Sequence, residues 1–255
     1  MKQEISILGC GWLGMALAFE LINKGFGVKG SNTSSHNFNQ LKSKGIRPFI
    51  INIKQRENDI SDFLLSDVLI ISIPSKSIDD FENLITQIEN SNIKKILFIS
   101  STSVYPNANG IVTEKSSIKL SALTEIEHLF RNNKIFQTTI IRFGGLFGYD
   151  RQPGNFIKID KKIENPEGYI NFIHRDDCNQ IIEKIIETNI WNTTLNACTD
   201  SHPKRRDFYK KEFKKLGRPA PVFNEESMNA YKIVISEKLK RALDYTFKYS
   251  DLMNY

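Results

Sequence analysis

Long apolar runs are scarce in this sequence, and stretches such as VLII at 68–71 fall far short of the roughly 20 residues a membrane-spanning helix needs. Cysteine is equally sparse. Cys10, Cys178 and Cys198 stand far apart with no CxxC spacing, which argues against a disulfide framework or a zinc site and leaves small buried thiols. There is no internal repeat and no low-complexity tract. The apolar stretch before Cys10 is short and interrupted by Glu4, so it does not read as a leader peptide and the expected location is cytoplasmic. Against these absences stands an ordinary globular composition, 255 residues with 40% hydrophobic and 25% charged side chains, enough for one large domain or a domain with a smaller lobe.

The net charge of +6 does not signal nucleic acid. The segment HPKRRDFYKKEFKKLGR, 202–218, carries eight Lys or Arg against two acids and accounts for the whole excess. Tyr209, Phe213 and Leu216 repeat within it at helical spacing, which predicts a surface helix with an apolar stripe and a basic solvated face. The expected partner is a small molecule, with no nucleic acid and no membrane, and the expected state is a monomer or homodimer.

Residues 1–142 alternate β-rich and helical segments. Strands are expected at 4–9, 26–31, 48–52, 67–74, 94–100 and 137–143, with helices at 12–25, 37–44, 57–65, 77–91 and 119–132. Strand then helix, repeated, implies right-handed crossovers and a doubly wound parallel sheet, an α/β fold. The pattern loosens after Gly148, with helices expected near 176–187, 204–216 and 236–243. This divides the chain into a dinucleotide-binding domain over 1–148 and a small mixed lobe over 149–255.

Ligands of such folds bind at the carboxyl ends of the strands. There, LGCGWLG at 8–14 supplies Gly9, Gly11 and Gly14 in GxGxxG spacing, after the first strand and opening a helix, the context of a pyrophosphate-binding loop. Trp12 and Leu13 complete the loop, and Ile73, Pro74, Ser100 and Gly144 follow later strands as further cofactor contacts. An NAD site usually places an acid at the end of the second strand, but GSNTSSHN at 30–37 has none. Asn32, Thr33 and Ser34 could instead donate hydrogen bonds to a 2′-phosphate. NADP is therefore the expected cofactor ahead of NAD, and no metal is expected.

With this loop, FISSTSVYP at 98–106, IIRFGGLFG at 140–148 and YINFIHRDDC at 169–178, the sequence resembles the extended short-chain dehydrogenases, the epimerase and dehydratase-like superfamily. That resemblance implies a Rossmann fold and NAD(P)-linked oxidoreductase or epimerase chemistry. It also marks Ser101 as the serine that hydrogen-bonds a substrate oxygen while a tyrosinate, aided by a lysine four residues on, exchanges a proton. Here none of the eight tyrosines has lysine at that spacing, so the usual mechanism does not carry over. The GxGxxG form and the SNTS turn also suit dehydrogenases of the 6-phosphogluconate type.

Tyr105 and His174 are the remaining candidates for proton transfer, and Arg142, His202 and Arg205 for substrate binding. Asp176 and Asp177 suit a helix first turn with or without a function. Two readings stay open: an NAD(P)-dependent enzyme acting on a small polar or sugar-like substrate, and a non-catalytic, redox-sensing dinucleotide binder.

Overall fold

The computed structural model describes residues 2–158 and 161–255. The elements run β1 (Glu4–Leu8), α1 (Trp12–Asn23), β2 (Gly27–Asn32), α2 (Phe38–Ser43), β3 (Arg47–Ile50), β4 (Val68–Ile71), α3 (Ile78–Glu89), β5 (Lys95–Ser101) and β6 (Gly110–Val112). They continue with α4 (Ala122–Asn132), β7 (Gln137–Phe143), β8 (Gly145–Phe147), β9 (Phe172–His174), α5 (Arg175–Glu187), β10 (Thr194–Ala197), α6 (Arg205–Lys215), β11 (Lys232–Val234) and α7 (Glu237–Leu243). Seven strands form one sheet in the order β10-β7-β5-β4-β1-β2-β3, parallel throughout as the alternating pattern predicts. The order reverses between β1 and β4, the switch point beside which doubly wound folds bind ligands.

The chain forms two compact units, but not by a cut at 148/149. One gathers the chain through Ser100, Leu120–Ile141 and Ile182–Thr194; the other takes Ser101–Lys119, Arg142–Ile181 and Leu195–Tyr255. Four of the five divisions fall inside β5, β7, α5 and β10, where no break in the sequence pattern could have marked them; the fifth, at 119/120, lies in the loop before α4.

In the first unit β4 is buried at every residue, as expected for a central strand covered on both faces. Phe81 on α3, Phe98 on β5 and Phe130 on α4 meet in one cluster, with Phe98 and Phe130 stacked at 5.0 Å. Ser77 caps α3 by accepting from the Asp80 amide, and Ser121 with Thr124 forms a capping box on α4. The helix expected at 57–65 is absent, and these residues are turns and irregular chain. Three of its backbone carbonyls are taken from outside: Lys29 Nζ donates to the carbonyls of Asp62 (2.6 Å) and Leu65 (2.7 Å), and Ser6 Oγ to that of Phe63 (2.5 Å). Asp59 meanwhile accepts from the Ser61 amide at 2.8 Å, a local turn that competes with helix.

The second unit has two small parallel pairs, β6 with β11 and β8 with β9. Short strands at 110–112, 145–147, 172–174 and 232–234, and β10 at the sheet edge, were not foreseen; at three or four residues each they give too little periodicity to read. Its core joins Phe147, Ile163 and Ile170 to Phe208, Tyr209 and Phe213 of α6. That helix is more than a solvated basic face. Arg206 bonds Glu167 (2.7 Å) and Glu225 (2.6 Å), Lys204 bonds Glu167 (2.7 Å), and Lys211 reaches the Leu252 carbonyl (2.9 Å).

Candidate dinucleotide site

The glycine loop owes its shape to distances that only glycine permits. Gly9 has φ +103°, and a Cβ there would lie 2.5 Å from the Ser72 carbonyl oxygen; at Gly14 a Cβ would lie 2.2 Å from the Gly9 oxygen. At Gly11 a Cβ would meet nothing within 4 Å, so the protein itself does not require glycine there. A backbone kept bare beside open space is what close approach of a pyrophosphate needs. Gly11 is also the N-cap of α1, which has no side-chain cap and no acid in its first turn, unlike α3 and α4. Its first-turn amides, at the positive end of the helix dipole, suit phosphate. Leu13 is buried and contributes by its backbone, while Trp12 is partly exposed.

Beside this loop the first unit holds a cavity of about 500 Å³, lined at one side by Leu8, Gly9, Ser31, Asn32 and Thr33, and opposite by residues 51–54 and 73–77. That volume lies in the range of small-molecule sites. Asn32 fixes the loop, donating from Nδ2 to the Cys10 carbonyl at 2.9 Å, while its buried Oδ1 has no hydrogen-bond partner. The expectation that the Asn32 amide would donate to a phosphate therefore gives way: its nitrogen is engaged, and an acceptor is left over. Thr33, Ile73 and Pro74 line the cavity. Ser34 is exposed and outside the lining. Asn52, Ile53, Lys54, Lys76 and Ser77 line it without having been singled out; their place just beyond the third and fourth strands was the signal. The residues present fit an adenine dinucleotide, with phosphate donors at one end and a large, mainly apolar pocket next to them.

Two other expected cofactor contacts are occupied by the protein. Ser100 is buried, and its Oγ donates to Glu127 Oε1 at 2.6 Å, the same carboxylate that Arg131 reaches at 3.2 Å. Gly144 is glycine for packing, since a Cβ there would lie 2.6 Å from the Asn171 oxygen and 2.7 Å from Cys198 Sγ.

In the second unit the candidate catalytic residues prove equally engaged. Tyr105 is 1% exposed; its hydroxyl donates to Asn196 Oδ1 (2.8 Å) and accepts from Arg142 Nη1 (2.8 Å). Burial pushes its pKa up, against the pull of Arg142, so it is not poised to give up a proton. Arg142, buried at 2% exposure, serves this cluster rather than a substrate. His174 is buried among Phe147, Tyr149 and Tyr249. Its Nδ1 accepts from the Asp176 amide at 3.2 Å, a cap on α5 that requires a neutral ring, and burial lowers its pKa accordingly.

Asp176 and Asp177 do more than complement a helix dipole. Asp176 accepts from Tyr149 Oη (2.8 Å), Lys248 Nζ (3.0 Å) and Tyr249 Oη (3.2 Å). Burial raises its pKa, but these hydrogen bonds bring it below the ordinary value. Asp177, wholly buried, accepts from Tyr245 Oη (2.6 Å) and the amides of Lys248 (2.7 Å) and Tyr249 (3.1 Å). His202 donates from Nδ1 to the Ile170 carbonyl (3.1 Å), and Arg205 from Nε to that of Glu164 (3.1 Å); neither expected substrate contact is held toward open space by a partner side chain.

Ser101 is the exception. Partly exposed, its Oγ accepts from the Ser103 amide at 3.1 Å, which leaves the hydroxyl hydrogen able to donate. Lys232, partly exposed, places Nζ 2.6 Å from the Tyr105 carbonyl oxygen, and burial, then Lys119, lowers its pKa. All three cysteines are buried and free, and burial pushes the Cys10 and Cys198 thiols up to about 12.

A parallel doubly wound sheet with an uncapped glycine loop at its switch point defines a protein of the Rossmann dinucleotide-binding class. Residues 4–124 match the family model described as the NAD binding domain of 6-phosphogluconate dehydrogenase, so this segment is an NAD-binding domain of Rossmann type. Over its length the chain is similar to Protein YeeZ of Escherichia coli strain K12, 28% identical over 267 residues, covering 98% of this chain and 97% of that one. A conserved protein of unknown function from Silicibacter pomeroyi shares the fold with TM-score 0.83 at 17% identity, over 99% of this chain and 96% of that one. UDP-glucuronic acid 4-epimerase from Bacillus cereus, solved with UDP-glucuronic acid and NAD, does so with TM-score 0.79 at 19% identity, over 96% and 94%. Among the described residues, no helix is long and apolar enough to cross a membrane.

Proposed function

We propose that the protein is an NAD(P)-linked oxidoreductase or epimerase of the extended short-chain dehydrogenase type, acting on a small polar or sugar-like substrate as a monomer or homodimer. One observation carries the reading: at Gly11 a Cβ would be free of every neighbour within 4 Å, yet the position is glycine, at an uncapped helix start beside a cavity of about 500 Å³. A nicotinamide cofactor, when bound, would supply hydride exchange. The amides at the start of α1 hold its phosphates, Leu8, Ile73 and Pro74 keep water from the apolar part, and Thr33 stands at the ribose end. The lack of a carboxylate in 30–37 favours NADP over NAD. Ser101 donates to a substrate oxygen, and Lys232, whose pKa burial lowers, is the group proposed to exchange the proton that a tyrosine–lysine pair would otherwise handle. The likeness to the Bacillus cereus epimerase supports a sugar-nucleotide substrate class.

A second reading, a non-catalytic dinucleotide binder that reports on redox state, is favoured by the engagement of the Tyr105 hydroxyl and of His174 Nδ1. The test is to titrate the purified protein with NADPH and NADH by nicotinamide fluorescence, then follow NAD(P)H turnover with UDP-glucose, UDP-glucuronic acid and small hydroxy-carbonyl compounds. Turnover that falls in Ser101→Ala with binding intact supports the enzyme. Binding without turnover of any of these compounds supports the sensor, and absence of dinucleotide binding contradicts both.

A further inference from the structure

We infer that Lys54 and Lys76 form a clamp for the 2′-phosphate of a phosphorylated adenine dinucleotide, an inference that rests on the dinucleotide reading and assigns its selectivity to side chains. Both lysines line the cavity of the first unit, Lys54 just beyond β3 and Lys76 just before α3. No Asp or Glu stands among the residues of that lining. Both are exposed, and neither takes part in any of the ion pairs among the described residues, whereas nearby Arg56 is held by Asp79 at 3.7 Å. Two cations left over at one cavity with no anion of the protein is an arrangement that an anionic ligand completes.

The other polar groups of the cavity divide the work between the ribose and the phosphate. Asn32 Nδ2 is taken by the Cys10 carbonyl, so this residue offers only its unpartnered Oδ1, an acceptor suited to a ribose hydroxyl and unsuited to a phosphate oxygen. Thr33 and Ser75 retain hydroxyl hydrogens for the phosphate: Ser75 Oγ accepts from the Ser77 amide at 3.4 Å and its hydrogen remains to be donated. A dianion near two ammonium groups and two hydroxyls forms charge-assisted hydrogen bonds, stronger than those an unphosphorylated ribose could form there. Selectivity for the phosphorylated form therefore comes from lysines on the β3 and β4 sides of the pocket, where the usual acidic or basic determinant at the end of β2 is missing.

The test uses the intact protein and the isolated adenosine halves of the two cofactors, 2′,5′-ADP and 5′-AMP, by calorimetric titration at low and moderate salt, with NADPH and NADH alongside. The expected result is 2′,5′-ADP binding about tenfold or more tighter than 5′-AMP, a gap that narrows with salt. Lys54→Met and Lys76→Met, both at exposed positions, should each weaken 2′,5′-ADP several-fold while leaving 5′-AMP and the melting temperature unchanged, and the double variant should abolish the gap. Equal affinity of the wild type for both halves, or a gap that survives the double variant, would overturn the clamp while leaving the dinucleotide reading intact. If neither half nor either dinucleotide binds, the reading beneath it fails as well.

Discussion

The carboxyl edge of the first unit and the polar clusters of the second use the same kinds of residue to opposite ends. Beside the glycine loop the protein leaves groups unmet: the Oδ1 of Asn32 and the ammoniums of Lys54 and Lys76, next to a helix start with no side-chain cap. Around Tyr105 and His174 polar groups find protein partners, in the Arg142–Tyr105–Asn196 chain and in the two aspartates that gather residues 245–249. A hydrogen bond already made to a protein partner has to be broken before a ligand can use it. The difference teaches that a titratable residue in a suggestive motif is a weaker sign of a site than a polar group the fold has left unmatched.

The largest effect that would test this contrast is on stability. Asp177→Ala removes the acceptor of three buried or partly buried donors and should lower stability by about 3 kcal/mol or more, a drop in melting temperature of roughly 10 °C. A change under 1 °C would mean that these bonds do not hold the second unit together. Next, Tyr105→Phe deletes a donor to Asn196 and an acceptor for Arg142 and should cost about 1–3 kcal/mol with dinucleotide affinity unaltered. Loss of turnover without loss of stability in that variant would restore Tyr105 to catalysis.

A smaller effect concerns pH. His174 and His202 both have pKa values lowered by burial, so the unfolded chain takes up protons before the folded one does. Their neutral forms support the fold fully above the unfolded value of about 6.5, and that support is lost as pH falls from there through their lowered folded values. His174→Asn, which keeps an acceptor for the Asp176 amide, should flatten the decline in melting temperature between neutral and mildly acid pH; an unchanged slope would exclude His174 as a contributor. The smallest effect is at Ser101, where alanine should change stability by no more than about 0.5 kcal/mol. A larger loss in thermal melts would make its hydroxyl a structural group.

Much of the fold was legible because β4 is an unbroken apolar run and β1, β5 and β7 are rich in β-branched and apolar residues, while α3 and α4 show clear helical periodicity. The glycine loop was legible because its three glycines have separate physical causes, two of them visible as near-contacts. At the helix expected over 57–65, Asp59 instead takes the Ser61 amide in a local turn, and Lys29 and Ser6, distant in sequence, hold the carbonyls of Asp62, Phe63 and Leu65. Tyr105 and Arg142 misled for the same reason: their partners lie 91 and 37 residues apart along the chain, and no local pattern announces them. Lys54 and Lys76 escaped notice because a lysine after a short strand looks like any solvated lysine until the cavity places them together.

The most direct test of the central claim is calorimetric titration of Gly11→Val with NADPH and NADH beside the wild type, with thermal melts of both. Since a Cβ at Gly11 meets nothing within 4 Å, the variant should keep its melting temperature and lose dinucleotide affinity by about a hundredfold or more, as side-chain bulk blocks the approach of the pyrophosphate. A variant that binds as tightly as the wild type would contradict the account.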